Sequence, residues 1–564
     1  MSYHQENLNQ TEEEYIVTLK EMLDKARFLQ ELRIIRSDKI VAERPISRNT
    51  HVSLTEQEAE TLRNDDRVLA VELPSQPDDI VPFWDITNEE FNKTSGRTPG
   101  ANFRQWGHLH VAGDAAQRRK NVWGDGPVTD SISVYGNGQH VDVVICDELT
   151  PYDCREWYSP TTGSSRFVQY QWFAEHQDII CRHTNQEIKY FTNHEQGTDP
   201  AFFFPPTHGT HVTGTVAGQF YGWANEANIY NLPIFSFVEA NGNNLNGAIT
   251  FFDINFLFDY VRAFHASKPI NPNTGYKNPT VTNHSWGYRA FSIDFNRIET
   301  FNYRGVVYSK TGTPLPGGWT QENLRDNYIV PRGYSNTPTA ILADTEDAIA
   351  DGIVVIGAAG NDNAYMARQG TEDYDNYILY TGQIDTVNTR KYIHRGSGPG
   401  QAPSAICVGA LSTNENFLRT SFSNFGTKID VFAPGLYILS SVTKNTNQGA
   451  EDTKYTVNDW YMGMSGTSMA SPQVCGVAAM AASLKPRFTQ PDAKHLITSL
   501  SVKDEMEFDL LDGGGRDPSS QNGSPNATLS SQNPRPDSGM ISAQKGGRVQ
   551  SVSYPRKNTL FTGN

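Results

Sequence analysis

The sequence predicts an α/β protein, a doubly wound and mostly parallel sheet with helices on both faces, preceded by a small α+β module. Two patterns between about residues 131 and 511 predict the sheet. Short, continuous runs of β-branched and other apolar residues are typical of strands that are buried on both faces. Helical stretches alternate with these runs, as in layered α/β domains. The chain of 564 residues is long enough for a second unit in front of this domain.

The first 80 residues predict that smaller module. Thr55, with Glu58 three positions later, forms a capping box that opens a helix. The predicted elements are a strand at 15–19, a helix at about 21–32, a strand at about 50–54, a helix to about 63 and a strand at 67–73. Such alternation indicates a compact α+β module. The stretch from Leu73 to Asp79 breaks all periodicity and predicts an exposed linker.

The main domain, 131–511, contains the alternating elements. The predicted strands are 141–146, 227–234, the neighbourhood of Val281, 352–359, 405–411 and 429–432. The predicted helices are 208–218, 251–265, 339–350, 472–484 and 490–500. Two segments, 288–336 and 362–402, are rich in Tyr, Asn, Gly and Asp and predict surface insertions.

Two further segments flank this domain. Residues 81–130 are interpreted as a linker and an N-terminal extension of the main domain. Residues 512–564 are dense in Ser, Gly, Pro, Asn and Gln and have too few apolar residues to bury a core. They predict a disordered tail, with a docking tail as the alternative.

Composition excludes several classes of function. The formal charge of −16 leaves no basic excess to neutralise phosphates, so we expect no nucleic acid partner. No run approaches the roughly 20 apolar residues of a membrane span. The first 20 residues lack an apolar signal segment, which predicts a cytoplasmic or otherwise not classically secreted protein. Five cysteines without a CxxC motif argue against a disulfide scaffold and a zinc site.

Four residues with reactive side chains stand where a predicted strand ends or a helix begins. Asp147 and Asn361 follow strands, His208 opens a helix, and Ser468 precedes a helix rich in small residues. Ligands of doubly wound sheets bind beyond the carboxyl ends of the strands, so we expect these residues to share one site. A serine nucleophile needs a base, an imidazole can serve as that base, and a carboxylate orients the imidazole. An amide can donate to a developing oxyanion.

Three motifs containing these residues resemble those of the subtilisin-like serine proteases. They are Gly-Thr-Ser-Met-Ala-Ser-Pro at 466–472, His-Gly-Thr-His-Val-Thr-Gly-Thr at 208–215 and Ala-Ala-Gly-Asn at 358–361. The order Asp, His, Ser along the chain is also that of subtilisin. The resemblance covers about residues 100 to 500. It implies an endopeptidase that cleaves proteins and peptides through an acyl-enzyme.

The resemblance assigns roles to these residues. It implies that Ser468 is the nucleophile, His208 the general base, Asp147 the group that orients the histidine and Asn361 the oxyanion donor.

The resemblance also implies a substrate cleft. Ser285, Trp286 and Gly287 resemble the strand that pairs with the peptide backbone by strand addition. Ala359 and Gly360, just before Asn361, are expected to line the same cleft.

No cofactor is required for the chemistry that the resemblance implies. Members of the family often hold structural calcium, and the acidic cluster Glu372, Asp373 and Asp375 offers candidate ligands. The metal ligands themselves are not identified.

The N-terminal module resembles the ferredoxin-like inhibitory propeptide of the same family. The segments 15–20, 52–58 and 62–68 carry this resemblance. It implies that the module caps the active site and that the chain cuts itself within 73–85. A permanent docking or regulatory domain is the alternative, since mixed α+β modules serve many functions.

The sequence departs from the family pattern beside Asp147. Glu148 and Leu149 follow it, where the family usually has Ser or Thr and then Gly. A second carboxylate can raise the pKa of one of the pair, and Asp142 and Asp153 are alternative partners for the histidine. Two other functions therefore stay open: an inactive relative that binds peptides or has a structural role, and a protease limited to self-processing or maturation.

Overall fold

The structure is a computed structural model. It describes residues 12–36, 39–74, 80–82, 105–112, 136–148, 150, 154–168, 208–239, 245–250, 254–335, 337–412, 419–442, 450–451, 460–503 and 548–549.

The helices and strands are numbered in chain order over these residues. The helices are α1 (Lys25–Arg36), α2 (Glu56–Arg63), α3 (Trp106–Ala112), α4 (His208–Ala217), α5 (Leu257–Ser267), α6 (Gln321–Tyr328), α7 (Thr339–Ala350), α8 (Thr467–Ala482) and α9 (Gln490–Leu500). The first strands are β1 (Glu13–Leu19), β2 (Ile40–Ala42), β3 (Asn49–Leu54), β4 (Val68–Glu72), β5 (Ile80–Pro82), β6 (Asp142–Glu148), β7 (Phe167–Val168), β8 (Asn228–Glu239), β9 (Leu245–Thr250) and β10 (Thr280–His284). The others are β11 (Trp286–Tyr288), β12 (Phe291–Ser292), β13 (Ile298–Tyr303), β14 (Val306–Ser309), β15 (Gly333–Tyr334), β16 (Val354–Ala358), β17 (Tyr377–Tyr380), β18 (Lys391–Tyr392), β19 (Ile406–Leu411), β20 (Val431–Pro434), β21 (Ile438–Val442), β22 (Ala450–Glu451), β23 (Trp460–Met464), β24 (Val502–Lys503) and β25 (Arg548–Val549).

The N-terminal module is a four-stranded antiparallel sheet in the order β2-β3-β1-β4, with helices α1 and α2. Its core includes Tyr15, Val17, Phe28 and Val52. The predicted capping box is confirmed, since the Thr55 side chain accepts from the Glu58 N–H and the Glu58 side chain accepts from the Thr55 N–H. Strand β2 was not predicted, and α1 begins and ends about four residues later than expected.

The main sheet confirms the predicted α/β fold. Its strands follow the order β24-β25-β20-β19-β16-β10-β6-β8-β7, and β9 pairs with β8. Strands β7, β8, β6, β10, β16, β19 and β20 run parallel. Every residue of the central strands β6, β10, β16 and β19 is buried, as expected for strands covered on both faces. Helix α4 packs against α8, and α5 packs against α7.

Helix α8 begins one turn and a half before the predicted start at Pro472. It runs from Thr467, with Pro472 inside it. Proline lacks the N–H that would bond the carbonyl four residues earlier, which here belongs to Ser468. The Ser285 hydroxyl donates to that carbonyl instead, at 2.9 Å, so the helix continues through the proline.

The two predicted insertions meet in one small unit. Strands β13 and β14 come from the first and β17 and β18 from the second, and they form a sheet in the order β14-β13-β17-β18. Ile298, Phe301, Leu324 and Ile378 give this unit a buried cluster of its own. The segments are therefore more than separate surface loops.

The predicted disordered tail is wrong at Arg548–Val549. This strand pairs parallel with β20 and antiparallel with β24. Ladder hydrogen bonds use the main chain alone, so a segment poor in apolar residues can still add a strand. The rest of 512–564, and most of 81–130 apart from β5 and α3, lies outside the described residues. Over the part that the structure describes, no helix has the length and apolar character that crossing a bilayer requires.

Candidate active site

Asp147 and His208 form a buried pair. Asp147 lies near the carboxyl end of β6 and His208 is the first residue of α4. His208 Nδ1 lies 2.6 Å from Asp147 Oδ1, and both side chains are at most 1% exposed. The alternative partner Asp142 stands at the other end of β6, where it binds Lys268 at 2.9 Å. Asp153 lies outside the described residues.

Ser468 stands in the first turn of α8, close to the strand that follows β10. Its hydroxyl donates to the Ser285 carbonyl at 3.2 Å. Strands β10 and β6 are parallel neighbours in which His284 pairs with Cys146. The next residues, Ser285 and Asp147, therefore lie side by side near the carboxyl ends of these strands, and the helices that carry Ser468 and His208 begin at the same edge of the sheet.

Asn361 is held by the residue before Ser468. Its Oδ1 accepts from both the N–H and the hydroxyl of Thr467, each at 2.9 Å. The Thr467 hydroxyl in turn accepts from Gly360 N–H at 3.1 Å. These bonds fix the plane of the Asn361 amide and leave its two N–H groups directed away from Thr467.

Four of the residues predicted to bind substrate lie in two separate segments, one in strand β11 and the other directly after β16. Trp286 and Gly287 belong to β11, which pairs antiparallel with β5 so that Gly287 opposes Val81. Ala359 is held inside the protein, because its N–H donates to Val408 O and its carbonyl accepts from the Asn424 side chain. Gly360 has φ +101°, where a Cβ would come within 2.6 Å of that Asn424 amide.

The contact that Glu148 makes with the start of α4 was not predicted from the sequence. Its Oε2 accepts from the N–H groups of His208, at 2.9 Å, and Gly209, at 3.3 Å. Burial raises the pKa of Glu148 to about 7, while His208 lowers this pKa and Asp147 raises it further. The unusual Asp-Glu pair was visible in the sequence, but the contact with the start of α4 was not.

Ser285, predicted to bind substrate, supports Ser468 through two bonds. The Ser285 hydroxyl donates to the Ser468 carbonyl and its own carbonyl accepts from the Ser468 hydroxyl.

The other histidines and cysteines near the motifs are structural. His211 lies 2.7 Å from the Ile438 carbonyl, and burial lowers its pKa to about 3. His284 lies 3.0 Å from the Thr282 hydroxyl, and burial lowers its pKa to about 3 as well. Cys146 and Cys475 are buried free thiols, as expected of small apolar residues.

The described residues offer little for a metal ion. Asp147, Glu148 and His208 place ligand atoms within 4.8 Å of one another. Asp147 Oδ1 and His208 Nδ1 are already joined to each other at 2.6 Å.

The acidic cluster proposed for calcium is engaged by arginines. Arg304 pairs with Glu372 at 3.0 Å and with Asp373 at 2.8 Å, and Arg395 pairs with Asp375 at 2.7 Å. Calcium binding stays a prediction.

Comparison with known proteins identifies the family of this chain. A sequence model of the subtilase family matches residues 109–527, about three quarters of the chain. The chain belongs to the subtilase family. The match begins after the N-terminal module, so the nature of that module rests on its own structure.

Two relatives illustrate the similarity. Subtilisin DY of Bacillus licheniformis is 30% identical over 215 residues, which is 38% of this chain and 62% of that protein. The subtilisin-like serine protease Pen c 2 of Penicillium citrinum is 27% identical over 299 residues, 53% of this chain and 45% of that protein. This subtilase thus spans less than two thirds of the length of these relatives.

Solved structures add two matches. A cold adapted subtilisin-like serine proteinase matches with 19% identity and a TM-score of 0.38, over 71% of this chain and 93% of that one. Fervidolysin from Fervidobacterium pennivorans matches with 18% identity and a TM-score of 0.42, over 87% of this chain and 58% of that one.

Proposed function

We propose that this subtilase is a serine endopeptidase in which Ser468, His208 and Asp147 form a catalytic triad. The observation that carries the proposal is the buried 2.6 Å contact between His208 Nδ1 and Asp147 Oδ1, at the edge of the sheet where α8 begins with Ser468 in its first turn. A carboxylate in this position selects the imidazole tautomer with its proton on Nδ1. Nε2 is then the basic nitrogen for the serine.

The reaction follows from these groups. The Ser468 hydroxyl attacks the scissile carbonyl while His208 Nε2 takes its proton. The leaving amine receives that proton as the acyl-enzyme forms on Ser468. Water then attacks the ester, again with His208 as base, and releases the second product. Side chains and main chain supply all of this chemistry, and no cofactor takes part.

Asn361 is the proposed donor to the oxyanion. Its Oδ1 accepts from Thr467, the residue before Ser468, which leaves the amide N–H groups as the part of Asn361 that can donate to an oxyanion. Ser468 N–H, in the first turn of α8, is the second donor. Preorganised donors of this kind need no reorganisation as negative charge develops, which is why they stabilise the transition state more than water does.

The proposed substrate is an extended peptide that adds a strand beside Trp286–Tyr288. The pairing of β5 with β11 supports this, because it shows that the edge of β11 accepts an antiparallel strand. Main-chain bonds give such a partner affinity with little dependence on its sequence.

The N-terminal module is proposed to be an inhibitory propeptide that the enzyme removes itself. Its strand β4 ends at Glu72, whose carboxylate accepts from the N–H groups of Thr339 and Ala340 at the start of α7. Eight residues later the chain pairs with β11 as β5. The module thus contacts the domain at the start of α7, and the segment that follows the module pairs with β11 of the proposed cleft.

A protease limited to self-processing is the second candidate. The observation that favours it is that the chain's own β5 already lies on β11. Hydrolysis of added casein by the processed form would favour the general endopeptidase, and cleavage confined to the chain's own linker would favour this second candidate.

The decisive experiment compares the wild type with Ser468→Ala. We expect the wild type to lose about its first 80 residues and Ser468→Ala to stay at full length, because the hydroxyl is the proposed nucleophile. Intact mass reports the processing, and labelling by a fluorophosphonate reports the reactive serine. A folded wild type that stays at full length and takes no label would support the inactive, peptide-binding alternative.

A further inference from the structure

We propose that Glu148 is a positioning residue, which fixes the main chain of His208 and sets the lower end of the pH range in which His208 acts as a base. This inference rests on the proposed function, whose mechanism makes no use of Glu148.

Two neighbouring carboxylates hold one histidine. Asp147 contacts the imidazole, whereas Glu148 Oε2 accepts from the main-chain N–H groups of His208 and Gly209. The N–H groups in the first turn of a helix have no partner within the helix. Glu148 therefore caps α4 from another element, at the residue whose ring must be placed for catalysis.

The ladder between β6 and β8 explains how both carboxylates reach His208. Successive side chains of a regular strand point to opposite faces. Here the register shifts between Asp147, which pairs with Pro233, and Glu148, which pairs with Phe235. Such irregularities bend a strand and redirect its side chains.

The main chain around Glu148 is fixed as well. Its N–H donates to Asp147 Oδ1 at 2.8 Å and its carbonyl accepts from the Asn231 side chain at 3.1 Å. A Cβ at Gly209 would lie 2.4 Å from that carbonyl, so α4 approaches the end of β6 as closely as a glycine permits. A displacement of Glu148 would therefore move His208.

The charge of Glu148 is the second part of the inference. Among the described residues, the titratable groups that face it are Asp147 of β6 and His208 of α4, and β8 contributes the neutral Asn231. With a pKa raised to about 7, its carboxyl ionises in the range where a histidine ordinarily titrates. The ionised carboxylate stabilises an imidazolium beside it, and the neutral carboxyl does not.

Glu148→Gln should lower the pH at which His208 loses its proton. Glu148→Gln keeps an oxygen that can accept from the two N–H groups but removes the negative charge. The protonated imidazole loses a stabilising neighbour, so His208 should release its proton at lower pH. Ligand atoms within 4.8 Å of each other give a shift of at least about one pH unit at an effective dielectric constant of about 20.

Glu156 provides a matched control. It is a buried carboxylate that accepts from the N–H groups of Phe220, at 2.8 Å, and Tyr221, at 3.4 Å, and burial raises its pKa to about 6. It lies near the other end of α4, where a Cβ at Gly218 would meet its Oε2 at 2.5 Å. Glu156→Gln thus removes a comparable charge far from His208 along the same helix.

The test uses the full chain in a Ser468→Ala background, labelled with ¹⁵N-histidine, with the His208 signal assigned by its loss in His208→Ala. We expect His208 to titrate at least about one pH unit lower with Glu148→Gln and at unchanged pH with Glu156→Gln. Identical His208 titrations with and without Glu148→Gln would overturn the inference. This readout needs no catalysis.

Activity provides the second readout. The acid limb of kcat/KM on a peptide substrate should move to lower pH in Glu148→Gln and stay in place in Glu156→Gln. If the NMR titration shifts while the wild type hydrolyses nothing, the proposed function fails and the coupling of Glu148 to His208 stands. If the wild type is active and neither readout moves, the inference fails and the protease stands.

Discussion

Over the described residues, two contacts between the N-terminal region and the main domain differ in kind. On the docking face, Arg44 of the module lies between Asp259 of α5 and Asp344 of α7, at 2.7 Å from each, and all three side chains are at most 3% exposed. In the proposed substrate cleft, β5 pairs with β11 through the main chain. The docking contact depends on particular side chains, whereas the pairing of β5 with β11 uses the main chain and depends little on side chains.

The two contacts suit two different roles, holding the module in place and pairing with an extended segment. The docking face can hold the module in one orientation, because an arrangement that leaves a buried charge without its partner is strongly unfavourable. Pairing through the main chain depends little on side chains, which is what the proposed exchange of β5 for a substrate peptide would require. Release from the cleft therefore need not involve release of the module.

The largest expected effect comes from Arg44→Met in the full-length Ser468→Ala chain. The substitution leaves Asp259 and Asp344 buried without their cation, which costs about 3–5 kcal/mol and shifts the docking equilibrium by about 10²–10⁴-fold. Hydrogen exchange at the amides of Thr339 and Ala340 measures this, because Glu72 of the docked module accepts from both. Unchanged protection of these amides would show that the ion pairs do not hold the module.

An intermediate effect is expected from Val81→Pro in the same background. Proline removes the N–H at the centre of β5, so exchange at the amides of Trp286–Tyr288 should rise by up to about tenfold. Val81→Ala is the matched control and should leave them unchanged. The comparison of the two contacts would break down if Val81→Pro also exposed the Thr339 and Ala340 amides.

The smallest effect is expected from Glu72→Gln. The amide oxygen can still accept from Thr339 and Ala340, but a bond to a charged acceptor becomes one to a neutral acceptor. A loss of about 1 kcal/mol, or roughly fivefold faster exchange at these two amides, should follow. Glu60→Gln, on the exposed face of α2, serves as the control, and an equal effect there would remove the special role of Glu72.

Much of the scaffold could be predicted because local patterns determine it. Helices α7 and α9 begin and end at the predicted residues, and the apolar runs became the buried parallel strands. The motifs also located the site, since a strand end or a helix start delivers each of Asp147, His208 and Ser468 to one edge of the sheet.

What could not be predicted depends on partners distant in the chain. The predicted helix begins at Pro472, whereas α8 begins at Thr467 and runs through the proline. The hydroxyl that lets the helix run through it belongs to Ser285, 183 residues from Ser468. Glu148 was identified only as a neighbour of Asp147, and its capping of α4 requires the register shift between β6 and β8.

The strand at Arg548–Val549 has a consequence for biosynthesis. It lies between β20 and β24, although β20 ends at Pro434. Until the ribosome has added residues 548 and 549, the edge of β20 at Phe432 lacks the strand that pairs with it in the finished protein. An open strand edge is a template for pairing with other chains. We therefore expect shortened versions that stop before residue 548 to aggregate more readily than the full chain.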